Sequence, residues 1–323
     1  MEKLKTALVL EGGAMRGMYT AGVLDVFEKA GLEFDGIIGV SAGALFGVNY
    51  LSKQPGRVIR YNKRFNRDRN YMGLLPLLKT GNIIDTKYAY ERVPRKLDPF
   101  DNVTYKKSKV PFYAVVTNVE TGRAEYIRVK DVFKQMDVLR ASGSMPFVSL
   151  PVKIGDKLYL DGAIADSIPY EHMLKLGYDR LVVVLTKDPG YVKKPINKLL
   201  AALKYRRRFP AFARAVADRH IMYNDEMDRL NRLEKAGVAT VLRPSRKVKI
   251  KKTETDPAKL QALYNVGVAD GKNYLKKLRA GMKLDAENKL MTENRLVTEN
   301  KLMTEGKPES EHKLMTENKI TED

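Results

Sequence analysis

The chain has 323 residues, 44% of them apolar, no cysteine and a net charge of +20. That composition suits a globular protein with a sizeable core and excludes disulfides and thiolate metal sites. No apolar run reaches the ~20 residues of a membrane span, and the start, Met1-Glu2-Lys3-Leu4-Lys5-Thr6, has no signal-peptide pattern, so a cytoplasmic location is expected.

Thr6 to Leu10 is a short buried strand candidate that runs into the glycine-rich loop Glu11-Gly12-Gly13-Ala14-Met15-Arg16-Gly17. A helix over about Met18 to Ala30 follows, stopped by Gly31. Gly36 to Val40 reads as a strand, Ser41 as a tight turn, and Ala42 to Leu51 as a helix. Gly39-Val40-Ser41-Ala42-Gly43 therefore has the strand–turn–helix setting of a nucleophile elbow. Its two glycines leave room where a Cβ would collide, and the helix N-terminus beside Ser41 favours negative charge. The alternative is a glycine-rich turn with a capping serine.

Lys53 to Asp101 is less regular, with an apolar patch at Tyr71 to Leu78 that suits the mouth of an acyl pocket. Val110 to Thr117 and Ala124 to Val129 read as a hairpin; a helix spans about Asp131 to Ser142. Lys157 to Leu160 is a strand capped by Asp161-Gly162-Ala163, followed by a helix near Tyr170 to Leu176 and an apolar strand, Arg180 to Leu185. Between Tyr191 and Arg219 basic residues alternate with apolar ones, at helical spacing around Leu199 to Tyr205. Such a segment suits an anionic lipid surface or a solvated helix packed on the domain. Helices over about Ile221 to Ala236 and Pro257 to Leu278, with a strand at Ala239 to Leu242, close the domain.

Beyond Met282 a hexapeptide, Lys-Leu-Met-Thr-Glu-Asn at 289–294, recurs with variation to the end. A period of six keeps no single stripe on a helix. The tail, 283–323, reads as low-complexity, disordered or transiently helical. Leu284 to Asp323 carries six basic and ten acidic residues, a net of −4, which leaves +24 on the first 283. That surface should attract polyanions, nucleic acid or an anionic membrane face. The chain lacks a recognised nucleic-acid motif, and its basic residues are not regularly interleaved with aromatics.

Backbone N–H groups of the 11–17 loop can stabilise an oxyanion or cradle a phosphate. The loop is not a P-loop and, with Ala14, not a full G-x-G-x-x-G. Arg16 can support the loop, meet an anionic substrate or form a structural salt bridge. Asp161, at a strand end with small neighbours, can take the Ser41 proton. Of the other carboxylates, Asp25, Asp35 and Asp166 lack that small-residue flank. The three histidines, His172, His220 and His312, do not occupy strand-end loops suited to a general base, which leaves a Ser41–Asp161 dyad as the economical choice over a triad.

With E-G-G-A-M-R-G, G-V-S-A-G and D-G-A in this order, the chain resembles the bacterial patatin-like phospholipases over about Leu4 to Leu278. Ala141 to Pro146 and Ser167-Ile168-Pro169 also look like family features. The resemblance implies an α/β fold in which a mostly parallel central sheet is sandwiched by helices, a patatin-like variant of the hydrolase architecture. It implies a lipid acyl hydrolase without metal or cofactor, acting on a lipid ester, with phospholipid as the expected substrate. Ser41 is the expected nucleophile and Asp161 the proton acceptor. Oxyanion donors are expected around Gly12, Gly13 and Ala14, with Arg16 and Gly17 supporting the loop, Gly39 and Gly43 shaping the elbow, and Gly162 and Ala163 completing the Asp motif. Glu11 stands where the family pattern has Asp, and Ala14 where it has a third Gly. The expected organisation is one domain, 1–282, holding a membrane-facing segment at 191–219, and the tail. A non-catalytic relative that binds lipid or polyanions is the alternative.

Overall fold

The computed structural model describes residues 4–305, with side chains described to residue 281. Two units are distinguished, Met1–Tyr274 and Leu275–Asp323, and each is taken by itself.

The first unit is built on an eight-stranded sheet. Its strands are β1 (Thr6–Leu10), β2 (Gly36–Val40), β3 (Phe112–Asn118), β4 (Ala124–Arg128), β5 (Val152–Ile154), β6 (Lys157–Asp161), β7 (Arg180–Val184) and β8 (Ala239–Leu242). β3, β2, β1, β7 and β8 lie side by side and parallel. β4 and β6 both run antiparallel to β3, and β5 pairs with β6 as a hairpin. β1, β2 and β7 are short apolar runs because both sheet faces are covered. Side chains alternate along them. Ala7, Val9, Ile38 and Val183 pack with Tyr170 and Met173 of α7 (Tyr170–Lys175) and with Tyr223 and Leu230 of α9 (Pro210–Lys235). On the other face Leu10 meets Gly47 of α2 (Ala42–Leu51), which packs beside α1 (Met18–Lys29). Ile38 and its equals are fully buried, which stabilises by roughly 1.5–3 kcal/mol per side chain.

A second set of short elements lies between β2 and β5 in the chain, outside the sheet. These are α3 (Arg57–Phe65), α4 (Leu74–Thr80), a π-helical stretch at Tyr88–Leu97, α5 (Asn102–Lys107) and α6 (Met136–Gly143). Phe65, Tyr71, Met72 and Val93 form their own small core. α6 starts five residues later than the sequence suggests. Asp131 instead accepts hydrogen bonds from the N–H groups of Phe133 and Lys134, a local turn that competes with helix.

The 191–219 segment is not one helix. α8 spans Lys198–Tyr205, and α9 begins at Pro210, eleven residues before the expected start. Proline is at home in a first helical turn, where its missing N–H is not needed. α8 turns Ala201 and Tyr205 inward and leaves Leu199, Leu200 and Leu203 exposed. The last helix, α10 (Pro257–Glu305), runs well past Leu278. Disorder is one reading of the tail from its composition, yet the backbone of residues 283–305 is helical, in keeping with a hexapeptide rich in Leu, Met, Glu and Lys. Residues 306–323 lie outside the described residues.

Candidate active site

The sheet brings Ser41 and Asp161 together by sharing one strand edge. β2 pairs with β3 up to Val40↔Val115, and β6 pairs with β3 from Val116↔Asp161. β4 overlaps both on β3, from Tyr113 to Thr117, so it holds the opposite edge. β2 and β6 therefore lie end to end along the remaining edge and point at each other. Ser41 follows the tip of β2, and Asp161 ends β6. The Ser41 hydroxyl donates to Asp161 Oδ2 at 2.9 Å, and both residues are 6% exposed.

Each partner is held from behind. Ser41 has φ 55° and ψ −122°, a conformation that costs a β-carbon-bearing residue roughly 1–3 kcal/mol. It throws the hydroxyl off the strand axis and out of the helix. Its N–H donates to Ser142 Oγ at 2.9 Å, and its carbonyl accepts from Ala44 and Leu45 in the first turn of α2. The elbow glycines are places of close approach. A Cβ on Gly39 would lie 2.6 Å from the Gly43 carbonyl carbon, and one on Gly43 2.3 Å from the Leu10 oxygen. Asp161 Oδ1 accepts from the Ala163 N–H at 2.9 Å, its N–H donates to the Ser144 carbonyl, and its carbonyl accepts from Thr117 Oγ1. A Cβ on Gly162 would lie 2.2 Å from the Val115 oxygen, so the Asp-Gly step is what lets the chain turn over β3. Burial pushes the Asp161 carboxyl above the usual carboxylate range, opposed by the positive charge of Arg219, the Ala163 and Ser41 hydrogen bonds and the charge of Lys252.

The glycine-rich loop lies directly over this pair. A Cβ on Gly12 would fall 2.9 Å from the Ser41 Cβ. Among the described residues, the N–H groups of Gly12 and Gly13 find no hydrogen-bond acceptor. Ala14 has φ 50°, the left-handed strain that the Gly-to-Ala departure foreshadows. Glu11 anchors the loop from inside: buried, it accepts from the Thr186 N–H and hydroxyl and from the Tyr223 hydroxyl. Gly17 packs against Phe46 and Ala42. Arg16 forms no ion pair among the described residues; its Nε is buried without a partner, and its side chain faces a cavity.

Two cavities meet at Ser41. One, of about 120 Å³, is apolar and lined by residues such as Leu45, Phe46, Tyr71, Met72, Val93 and Leu139. The other, of about 460 Å³, is cationic: Arg16, Lys187, Lys193, Lys194, Arg219 and Lys252 line it together with Ser41 and Asp161. Ala14, Ile83 and Met145 line both. Tyr71 and Met72 of the expected mouth are thus inside the apolar wall, while Leu74, Leu75 and Leu78 are exposed on α4. Among the described residues, four non-glycines have positive φ, and three of them, Ala14, Ser41 and Phe147, line the cationic cavity. Backbone strain is concentrated where the site is.

His172 is elsewhere, its ring stacked 3.8 Å from that of Tyr126. His220 does line the cationic cavity, but its Nδ1 faces the Ala217 carbonyl of its own helix. His312 lies outside the described residues. Asp25 accepts from the Gly56 N–H and Tyr264, Asp35 from the Thr6 N–H, and Asp166 from Tyr126. Sequence reasoning missed Ser142, Ser144, Thr186 and the convergence of six basic residues. Ser142 and Ser144 sit in the block Ala141 to Pro146, which does stand out in the sequence. Thr186 and the lysines follow β7 and β8 with no local pattern, so only the fold assembles them.

The chain is similar to several known proteins. Residues 8–174 match the family model for patatin-like phospholipase, and residues 209–283 match a domain of unknown function (DUF6363). The uncharacterized protein YjjU of Escherichia coli K12 is 32% identical over 188 residues, 56% of this chain and 52% of that protein. Lysophospholipase nte1 of Aspergillus niger is 26% identical over 289 residues, 84% of this chain but 18% of the fungal protein. The chain thus spans about half the length of the first and under a fifth of the second. The crystal structure of VipD from Legionella pneumophila aligns over 85% of this chain and 67% of its own, with a TM-score of 0.44 and 13% identity.

Proposed function

The chain belongs to the patatin-like phospholipase family, and on that footing we propose that it hydrolyses the acyl ester of a phospholipid or lysophospholipid with a Ser41–Asp161 dyad. The observation that carries this reading is the 2.9 Å hydrogen bond from the Ser41 hydroxyl to Asp161, at the seam of an apolar and a cationic cavity. Asp161 takes the proton as Ser41 Oγ attacks the carbonyl carbon. The oxyanion is received by the free N–H groups at Gly12 and Gly13, donors of a kind that contribute roughly 3 kcal/mol each. The tetrahedral intermediate collapses to the acyl-serine, and the leaving alcohol departs with the proton from Asp161. Asp161 then takes a proton from water, the hydroxide attacks the acyl carbonyl, and the fatty acid leaves as Ser41 is reprotonated. A carboxylate pushed up by burial is a stronger base than an exposed one, which suits a dyad that works without histidine.

Peripheral docking on a membrane follows from the surface around the cavity mouth. Leu74 and Leu78 on α4 and Leu199 and Leu203 on α8 are 63–82% exposed. The segment 147–150 links the two helices: the Phe147 N–H donates to the Tyr205 hydroxyl, and the Leu150 N–H to Asn82. Apolar residues at such a rim, beside Lys198 and Lys204, fit an anionic lipid face.

The test is Ser41→Ala. The variant should keep its melting temperature within a few degrees and lose ester hydrolysis and fluorophosphonate labelling by at least about 10³-fold. Labelling that survives would put the nucleophile elsewhere. The same silent protein should sediment with phosphatidylglycerol vesicles and lose that binding with Leu199→Glu and Leu203→Glu; indifference to both changes removes the docking surface.

A further inference from the structure

The cationic cavity is larger than the dyad needs and is not neutralised by the protein. Six basic side chains line it, Lys194 among them, and its only carboxylates are Glu11 and Asp161. Both are engaged: Glu11 by Thr186 and Tyr223, Asp161 by Ser41 and Ala163. None of the six cations forms an ion pair among the described residues. Lys198 and Lys259, outside the cavity, do pair, with Asp218 and Glu254. The Nε atoms of Arg16 and Arg219 are buried without a hydrogen-bond acceptor. Burying polar donors unmet is unfavourable unless a ligand completes them. The mutual strain shows in the lysines: burial, with neighbouring positive charge, pushes Lys187 down to about 8 and Lys193 down to about 7.

The positions are built rather than incidental. The Lys193 backbone is clamped to α9, with its N–H donating to Asn224 Oδ1 at 2.8 Å and its carbonyl accepting from Asn224 Nδ2. The Lys193 ammonium rests 4.4 Å from the ring centre of Tyr223, and that of Lys187 4.3 Å from that of Tyr191. These contacts also use up the aromatic faces. A choline or ethanolamine group would bring a further cation to a wall with no free carboxylate and with two aromatic rings already covered by ammonium groups. A terminal phosphate monoester carries about −1.5 to −2 charges and three oxygens for the unmet donors.

We propose that this cavity is the headgroup site, and that it selects lipids ending in a phosphate monoester over those ending in an ammonium group. The assignment rests on the acyl hydrolase reading and gives it a substrate class. It also gives a role to the region after Tyr178, since Lys187, Lys193, Arg219 and Lys252 all come from it and Arg219 and Lys252 lie on α9 and on the loop after β8.

The experiment compares lysophosphatidic acid with lysophosphatidylcholine of the same acyl chain, in the same neutral detergent micelles, with p-nitrophenyl butyrate as a headgroup-free ester. The expected result is a kcat/KM at least about tenfold higher for lysophosphatidic acid, falling by about tenfold in Lys193→Gln and Lys187→Gln through KM, as loss of a charge-assisted contact predicts. Lys193→Arg should retain most of the preference. These two lysines are chosen because Arg219 and Lys252 also act on the Asp161 carboxyl. Glycerol 3-phosphate and inorganic phosphate distinguish the lipid headgroup from a free anion: the proposal expects competition against lysophosphatidic acid alone. An altered rate on p-nitrophenyl butyrate would instead mark a regulatory anion site and overturn it. Equal kcat/KM for the two lipids, or a Lys193→Gln loss shared equally by both, also overturns it. If Ser41-dependent p-nitrophenyl butyrate hydrolysis persists in those cases, only the headgroup assignment fails. If no ester is cleaved in a Ser41-dependent way, the hydrolase reading fails first.

Discussion

The two cavities beside Ser41 are made from different stretches of the chain. The apolar one is lined by residues from Ala14 to Met145, with only Lys252 and Thr253 added from beyond. The cationic one draws five of its six basic residues from Lys187 to Lys252. The hydroxyl–carboxylate pair stands at the seam, held by the sheet, with Ser41 lining both cavities and Asp161 the cationic one. On the proposed reading, the difference assigns acyl chain and headgroup to separate parts of the fold. A change in one wall should alter one half of the substrate's recognition, and a change at the seam should alter everything.

The largest effect belongs to the seam. Asp161→Asn removes the proposed base, and kcat/KM should fall by about 10²–10⁴-fold, equally for a headgroup-free ester and a phospholipid. A loss confined to phospholipid would place Asp161 in the headgroup wall and break the comparison. The pH profile tests the same group. Activity requires the ionised carboxylate, so kcat/KM falls as pH drops through the Asp161 pKa, which burial raises. The acid limb should therefore lie above the ordinary carboxylate range. The Arg219 charge opposes that rise, so Arg219→Gln should move the limb to still higher pH; a limb that stays still would mean Arg219 does not act on Asp161.

Smaller and one-sided is the effect of filling the apolar wall. Met136 on α6 is half-buried and lines that cavity. Met136→Trp should lower kcat/KM for a sixteen-carbon acyl ester by roughly tenfold or more, and for a four-carbon ester by less than about twofold, because a few lost methylene contacts are worth about 0.8 kcal/mol each. The phosphate-over-choline preference should not move. A shift in headgroup preference would mean that the walls are coupled through Met145 or Ile83, which they share.

Legibility in the sequence divides along the same line. The elbow is contiguous, so Gly39 to Gly43 could be read from spacing, and the strand and helix around it have the bounds their residues suggest. Asp161 stands out by its small neighbours, whose physical reason is that a Cβ at position 162 would lie 2.2 Å from the Val115 oxygen. The edge-sharing of β2 and β6 that joins the two is a property of β3's register, which local patterns do not encode. The cationic wall had only a charge excess to signal it. Lys187 and Lys193 lie on the loop between β7 and α8, Arg219 on α9 and Lys252 on the loop after β8, and nothing in their spacing indicates that they converge. α8 shows the reverse case: Leu199, Leu200 and Leu203 have core-like spacing but face outward, because periodicity reveals an apolar face without saying what covers it.

The smallest expected effect is the most discriminating about the loop above the seam. Ala14 lines both cavities and has φ 50°. Ala14→Gly removes a left-handed strain of roughly 1 kcal/mol but gives the unfolded chain an extra freedom worth about 0.4–1 kcal/mol. The two nearly cancel, and the melting temperature should change by no more than about 2 °C. What the substitution tests is rigidity. The Gly12 and Gly13 donors are useful only while they point at the developing oxyanion, and Ala14 is the residue that stiffens their exit into the helical turn Ala14–Gly17. If Glu11, locked onto Thr186 and Tyr223, already fixes the loop, kcat should change by less than about twofold for every substrate. A tenfold fall in kcat with stability unchanged would show that the alanine itself holds the donors in place. Because Ala14 faces both walls, that fall should be the same for long and short acyl chains and for phosphate and choline headgroups. A loss restricted to one of these would assign Ala14 to that wall rather than to the seam.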